Sequence, residues 1–317
     1  MSKTLLDLVK ETDVVPYSIT SSFNSSDCFS LIAHDGSGTL GFMIPKVVSI
    51  LFEQFPSDFI IDYYASTLTL ASHLDTEPKR SEAFARIAKT LKEKNFFPEV
   101  LGGWRNELYP VYCPQKELYL LVERAASPLF GVITYGVHIT GYVGSENSKN
   151  PKELKVWTPR RAYNKPTFPG MLDNTVAGGL GHPYGVLETA IKECGEEAGL
   201  SEEYARSRLV PAGVISYWYR HKYSPELDLY QPEVEYVYDL PMDKVTVPKP
   251  VDGEVAEFKL WGVDELLREM RAGNFKPNTA LVMIDFFIRH AIIDPEQEPD
   301  YLEITSRIHR RFPFPTR

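Results

Sequence analysis

Apolar positions recur along this chain at two spacings, and the shifts between them mark its organisation. Leu5 to Val9 predicts a short amphipathic helix, followed by a loop rich in Ser and Asp at residues 18–30. Short β-like runs follow at Thr39 to Ile44 and Phe59 to Tyr64. Phe84, Ile87, Ala88 and Leu91 then recur at helical spacing within a helix expected over Glu77 to Lys94. Val111 to Val122 has strand character broken by Pro114, the pattern of a hairpin.

From Gly131 the texture changes. Val132 to Val143 reads as a long β-rich stretch, and the polar loop Gly144 to Pro151 separates it from a strand at Leu154 to Pro159. A glycine-rich turn precedes a helix over Val186 to Ala198, and strands follow at Val210 to Tyr219, Val234 to Leu240 and Phe258 to Gly262. Helices over Asp264 to Arg271 and Thr279 to His290 close the pattern. Strands and helices mix without the alternation of a doubly wound parallel sheet, which points to an α/β sandwich. The expected division is an α+β domain over 1–122, a main domain over 123–295 and a C-terminal extension over 296–317.

Composition narrows the partners. With 317 residues, 43% of them apolar, the chain can bury a sizeable core. A formal charge of -9 gives no reason to expect nucleic acid or an anionic membrane as a partner, since both reward clustered Lys and Arg. A small anionic substrate remains compatible if a metal supplies positive charge. Cys28, Cys113 and Cys194 are odd in number and far apart, which suits free thiols in a reducing compartment rather than a disulfide framework or zinc site. Asp7, Glu11 and Asp13 stand where a targeting segment would avoid acid, and apolar runs such as Leu118 to Val122 fall short of the ~20 residues that span a bilayer. The reading is a cytoplasmic protein, with a homodimer left open.

The candidate chemistry lies on the helix over Val186 to Ala198. At about 100° per residue, Glu193, Glu196 and Glu197 share an arc of roughly 100°, beside an expected buried stripe of Leu187, Ile191, Cys194 and Ala198. Glu193 and Glu197 form a like-charge i,i+4 pair that costs an isolated helix roughly 0.2–0.5 kcal/mol. A hard divalent cation such as Mg²⁺ or Mn²⁺ would offset that cost, and a plain solvated acidic face is the competing reading.

The surrounding stretch is Gly178-Gly-Leu-Gly-His-Pro-Tyr-Gly-Val-Leu-Glu-Thr-Ala-Ile-Lys-Glu-Cys-Gly-Glu-Glu-Ala-Gly-Leu200. It resembles the Nudix box, a loop-helix-loop motif. Gly178 opens it, Lys192-Glu193 stands at the usual Arg-Glu, Glu196-Glu197 is the acidic pair and Gly199-Leu200 closes it. The resemblance implies a Nudix α/β/α sandwich with a mixed sheet, metal held by Glu193, Glu196 and Glu197, and hydrolysis of a small-molecule diphosphate with Glu196 and Glu197 among the catalytic groups. Two positions depart from the pattern. Tyr184 replaces the first glutamate of the box and Lys192 its arginine, which reads as loss of an ion pair that braces loop against helix.

Family members often take a further ligand or base from a loop beyond the box. Asp252-Gly-Glu-Val-Ala-Glu257 is the best segment here, with Glu254 the first choice and Glu257 the second. Arg160 and Arg161 could clamp a diphosphate through bidentate guanidinium contacts, with Lys165 a weaker candidate and surface solvation the alternative. Trp104, Arg105 and Tyr135 could stack on a planar ring, although a tryptophan is more often core. His138 reads as a structural histidine, Glu233 and Glu235 as the exposed face of a strand, and His182 lacks a second ligand at zinc spacing.

Further runs, including Phe130 to Tyr142, Trp157 to Arg161, Pro169 to Gly179, Gly103 to Val111 and Lys276 to His290, look like a Nudix subfamily with a thiamine pyrophosphokinase-related N-terminal domain. That resemblance implies removal of phosphate from thiamine diphosphate analogues, such as oxy- or oxidised forms. Hydrolysis of nucleoside diphosphates or nucleotide sugars, and a binding module with a weakened box, are the alternatives.

Overall fold

The computed structural model describes residues 2–15, 28–144, 151–224 and 226–317. Most of the Ser- and Asp-rich loop at 18–30, and most of the polar loop before Pro151, lie outside them.

The first half contains α1 (Leu5–Thr12), β1 (Phe29–Ile32), β2 (Thr39–Met43), α2 (Pro45–Gln54), β3 (Phe59–Asp62), β4 (Thr67–Leu70), α3 (Glu77–Glu93), α4 (Pro98–Leu101), β5 (Leu108–Tyr112), β6 (Leu118–Glu123) and α5 (Ser127–Phe130). The second half contains β7 (Thr134–Val143), β8 (Lys155–Arg161), β9 (Val176–Gly179), α6 (Val186–Ala198), α7 (Glu202–Arg208), β10 (Val210–Ser224), β11 (Leu227–Pro241), β12 (Val255–Gly262), α8 (Val263–Arg271), α9 (Pro277–Arg289) and α10 (Tyr301–Arg307).

The long periodic segments fold as their spacing predicts. Phe84, Ile87, Ala88 and Leu91 form the buried stripe of α3, and Val111 to Val122 turns through Pro114 as the hairpin of β5 and β6. A four-stranded sheet in the order β2-β1-β4-β3 packs with α2 and α3 around a first core.

A six-stranded mixed sheet organises the rest, in the order β10-β11-β7-β8-β12 with β9 also paired to β7. β11 runs parallel to β7, while the other pairings are antiparallel. Each face is covered by helix. Val137, Ile139 and Val176 pack on α6 through Ala190, Ile191 and Cys194. Ile215, Tyr217 and Val237 pack on the opposite face under α9, through residues such as Leu281, Ile284 and Phe287. This is the α/β/α sandwich with a mixed sheet, preceded by a separate α+β unit.

Three features were not anticipated. Leu5, Leu8 and Val9 of α1 pack into the α9 core rather than into the sheet that follows them in sequence. Leu227 and Leu229, at the start of β11, enter the first core and so join the two units. Glu233 and Glu235 are not on an exposed strand face: Glu235 is only 6% exposed, because the N-terminal turn of α9 covers this side of β11.

Candidate active site

The box helix α6 begins at Gly185, whose N–H donates to Oε2 of Glu188 at 2.9 Å. It ends at Gly199, which takes a left-handed conformation with φ of 65°. Thr189, Ala190, Ile191, Cys194 and Ala198 form its buried stripe, whereas Leu187, expected there, is 39% exposed. The acidic face turns toward β9. Oε2 of Glu197 accepts the Ala177 N–H at 3.0 Å. Glu193 lies so close to Gly178 that a Cβ there would stand 2.3 Å from its carboxyl carbon, which explains the opening glycine of the motif.

These carboxylates differ in environment. Burial pushes Glu197 well above the ordinary carboxylate range, opposed by the Ala177 N–H and reinforced by Asp173, Glu193 and Glu254. Burial also raises Glu193, against the neighbouring Lys192 ammonium. Glu196 is exposed and pairs with Lys192 at 2.7 Å.

The turn before β12 brings a second set of oxygens. Asp252 caps it by accepting the Glu254 N–H at 2.8 Å, and Glu197, Asp252 and Glu254 offer carboxylate oxygens that all lie within 4.8 Å of one another. An all-carboxylate set, with one member deeply desolvated, fits a hard divalent cation. Burial opposes ionisation of Glu254, yet its 2.6 Å pair with Lys165 holds it below the ordinary range. Glu257 points elsewhere and pairs with Arg160 at 3.4 Å.

Around these groups opens a cavity of about 1020 Å³. Glu193, Glu196, Glu197 and Glu254 line it, and so do Arg105, Tyr109 and Arg124 from the first half of the chain. The first half also holds the box loop: the His182 N–H donates to the Leu108 carbonyl at 2.8 Å, and the Tyr109 hydroxyl occupies the space a Cβ on Gly179 would need. Lys192 bonds Glu193 and Glu196 and does not reach Tyr184, which is 51% exposed on the cavity rim. Within the box Lys192 and Tyr184 do not pair, and β5 contacts the loop instead.

The other sequence candidates divide. Arg105 and Tyr135 line the cavity, and the Tyr135 hydroxyl accepts the Arg317 N–H at 3.0 Å. Trp104 does not line it; its indole N–H bonds Asn106 at 2.8 Å and the Lys92 ammonium sits 4.4 Å above its ring. Arg160 and Arg161 also lie outside the lining. Arg160 bonds the Gly170 carbonyl, while Arg161 bonds Asp173 at 2.7 Å and the carbonyls of Thr167 and Phe168, so both guanidinium groups brace a loop. Sequence reasoning missed Tyr109, Arg124, Lys276 and Asn278 in the lining, and Asp252 as a member of the carboxylate cluster. Asp252 alone carried a signal, the Asp-Gly-Glu turn beside Glu254.

Residues 146–281 match the NUDIX domain model, and residues 6–134 match a domain of unknown function, DUF4743. The uncharacterized protein YJR142W of Saccharomyces cerevisiae is 39% identical over 98% of this chain and 92% of its own length. Nudix hydrolase 24, chloroplastic, of Arabidopsis thaliana is 38% identical over 84% of this chain and 69% of its own. The NUDIX domain of Shewanella oneidensis NrtR, solved with ADP ribose, covers 50% of this chain and 90% of that one, with a TM-score of 0.37 and 13% identity. The chain belongs to the Nudix hydrolase family, whose members act on diphosphate bonds.

Proposed function

We propose that the chain is a Mg²⁺- or Mn²⁺-dependent diphosphohydrolase that releases phosphate from an organic diphosphate, with thiamine diphosphate analogues, in oxy- or oxidised form, as substrates. The supporting observation is the meeting of Glu197, Asp252 and Glu254 in a cavity large enough for an organic diphosphate. The thiamine-type assignment rests on the subfamily resemblance of the sequence.

In this reading Glu193, Glu196, Glu197, Asp252 and Glu254 hold the metal. When bound, it would supply Lewis-acid charge at the phosphoryl oxygens. Glu254, kept ionised by Lys165, accepts the proton of the attacking water. Glu197 is fixed by the Ala177 N–H, so its free oxygen keeps one direction. Arg105, whose guanidinium makes no hydrogen bond or ion pair among the described residues, attracts the diphosphate from the N-terminal side, and Arg124 adds charge near Glu193. The first domain is then part of the enzyme's substrate cavity.

The test is a panel of diphosphates incubated with purified protein and Mg²⁺ or Mn²⁺, with phosphate and monophosphate both read out. Oxy- or oxidised thiamine diphosphate should be among the best substrates. Preference for nucleoside diphosphates or nucleotide sugars would replace the substrate assignment, and no turnover on any member would overturn the enzymatic reading.

A further inference from the structure

One wall of the cavity plays no part in holding metal. Glu233, Glu235, His138, Lys276 and Asn278 line it on the α9 side of the sheet, and the fully buried Tyr217 stands behind them.

Counting hydrogens shows that this wall is short of donors. The Tyr217 hydroxyl approaches both Oε2 of Glu233 and Oε1 of Glu235, the latter at 2.9 Å, and already accepts from Nδ2 of Asn278 at 3.1 Å. One hydroxyl carries one proton, so the two carboxylate contacts need a further proton between them. His138 repeats the pattern. Asn174 donates through Nδ2 to the Thr279 carbonyl, which leaves its Oδ1 to accept from Nδ1 of His138 at 2.7 Å. Nε2 of His138 then faces Oε2 of Glu235 at 3.6 Å, and that oxygen accepts no hydrogen bond among the described residues. Oδ1 of Asn278 is buried in the same condition. Oε1 of Glu233 accepts no hydrogen bond among the described residues either, and unlike the two buried oxygens it belongs to a half-buried side chain that lines the cavity.

Beside these acceptors stands one uncommitted donor. Lys276, at the N-terminal end of α9, lines the cavity and makes no side-chain hydrogen bond or ion pair among the described residues. Its charge acts on Glu233, Glu235 and His138 together. Lys276 already brings a positive charge to these acids, so what the unpaired oxygens lack is hydrogen-bond donors.

We infer that this wall binds the organic half of the diphosphate and selects a neutral nitrogen heterocycle, taking an N–H donor at Glu233 and placing an adjacent acceptor atom toward the Lys276 ammonium. The inference rests on the diphosphohydrolase reading and adds the recognition chemistry of the ring that the organic monophosphate product carries. Buried acceptors discriminate strongly here, because a ligand without the matching donor leaves them unpaired.

The test uses full-length protein with Mg²⁺ and two synthetic diphosphates of equal length, one ending in a pyrimidinone ring and one in a phenyl ring. The wild type should favour the pyrimidinone compound by roughly tenfold or more in kcat/KM, mainly through KM. Glu233→Ala should bring the two values within about threefold of each other. Glu233→Gln should keep part of the preference, since its amide oxygen still accepts, and Lys276→Met should reduce it. No preference in the wild type, or equal losses on both compounds in Glu233→Ala, overturns the inference. If Glu233→Ala does not fold, judged by its thermal midpoint, Glu233→Gln and Lys276→Met carry the comparison. If neither compound is hydrolysed, the enzymatic reading has failed; calorimetric binding of the two methylene-bisphosphonate analogues then decides. The same preference, weakened in the variants, supports the wall as a binding site, and equal binding overturns it.

Discussion

Glu197, on the box helix, and Glu254, in the turn before β12, bring carboxylate oxygens within 4.8 Å of each other. One is desolvated and pushed up by burial, while the other is held down by Lys165. Two acids of opposite shift, joined by Asp252, give a shared anionic cradle with one member already ionised.

Glu197→Gln should therefore lower kcat by roughly a hundredfold or more and weaken Mn²⁺ binding, with a thermal midpoint equal to or above that of the wild type because a desolvated acid has been removed. Kinetics, Mn²⁺ titration by electron paramagnetic resonance and calorimetric unfolding check the three parts. Full activity in this variant sinks the assignment.

Gly178→Ala places a methyl group 2.3 Å from the Glu193 carboxyl carbon. Glu193 must swing away or β9 must shift, at a cost of about 1–3 kcal/mol. The expected result is a lower thermal midpoint together with weaker Mn²⁺ affinity. A midpoint and affinity like the wild type's would show that Glu193 does not depend on this contact.

Restoring the usual box residues as Tyr184→Glu with Lys192→Arg should change kcat/KM by less than about threefold, because β5 already holds the loop through Leu108 and Tyr109. Strong activity that appears only in the double variant would mean that the natural site is degenerate.

His221 carries the pH prediction. Burial lowers its pKa to about 4, against a partial opposing effect of its bond to Gln231. The folded state thus binds the proton less readily than the unfolded chain, whose histidine titrates near 6.5. Stability is full above that value and falls as the pH drops toward 4, by about 3 kcal/mol over the window. His221→Asn should flatten the fall in denaturant midpoints measured between pH 7 and 4. An unchanged slope would assign the acid sensitivity to other groups.

Asp13 and Arg310 form a pair whose side chains are fully buried, with contacts of 2.6 and 2.8 Å. Asp13→Asn should destabilise the protein by about 3–5 kcal/mol, since it leaves a guanidinium charge poorly compensated inside the core. Chemical denaturation measures this directly.

Much of the second domain was legible because its signals are local. α6 begins and ends where the glycines and the apolar spacing place it, and the long strands β7, β10 and β11 announce themselves by their β-branched and aromatic content. What escaped depends on tertiary packing. Glu233 and Glu235 alternate with Val234 and Tyr236 just as an exposed strand face would, and nothing near them in sequence shows that α9 covers that face. Arg160 and Arg161 look available for phosphate, yet carbonyls and an acid of the loop that follows β8 fold back to occupy them, which no spacing or motif in that loop announces. Tyr109 and Arg124 gain their place only because one domain leans on the box loop of the other.

The Asp13–Arg310 pair also sets an order of events in the making of the protein. Its partners stand 297 positions apart, and α1 and α10 close on the same core. During synthesis the first sheet can assemble as soon as its strands emerge, whereas the α9 core must wait for almost the whole chain. Until α9 emerges the apolar stripe of α1 lacks its native cover, so nascent chains stalled before Pro277 should be the species that chaperones hold and proteases cut.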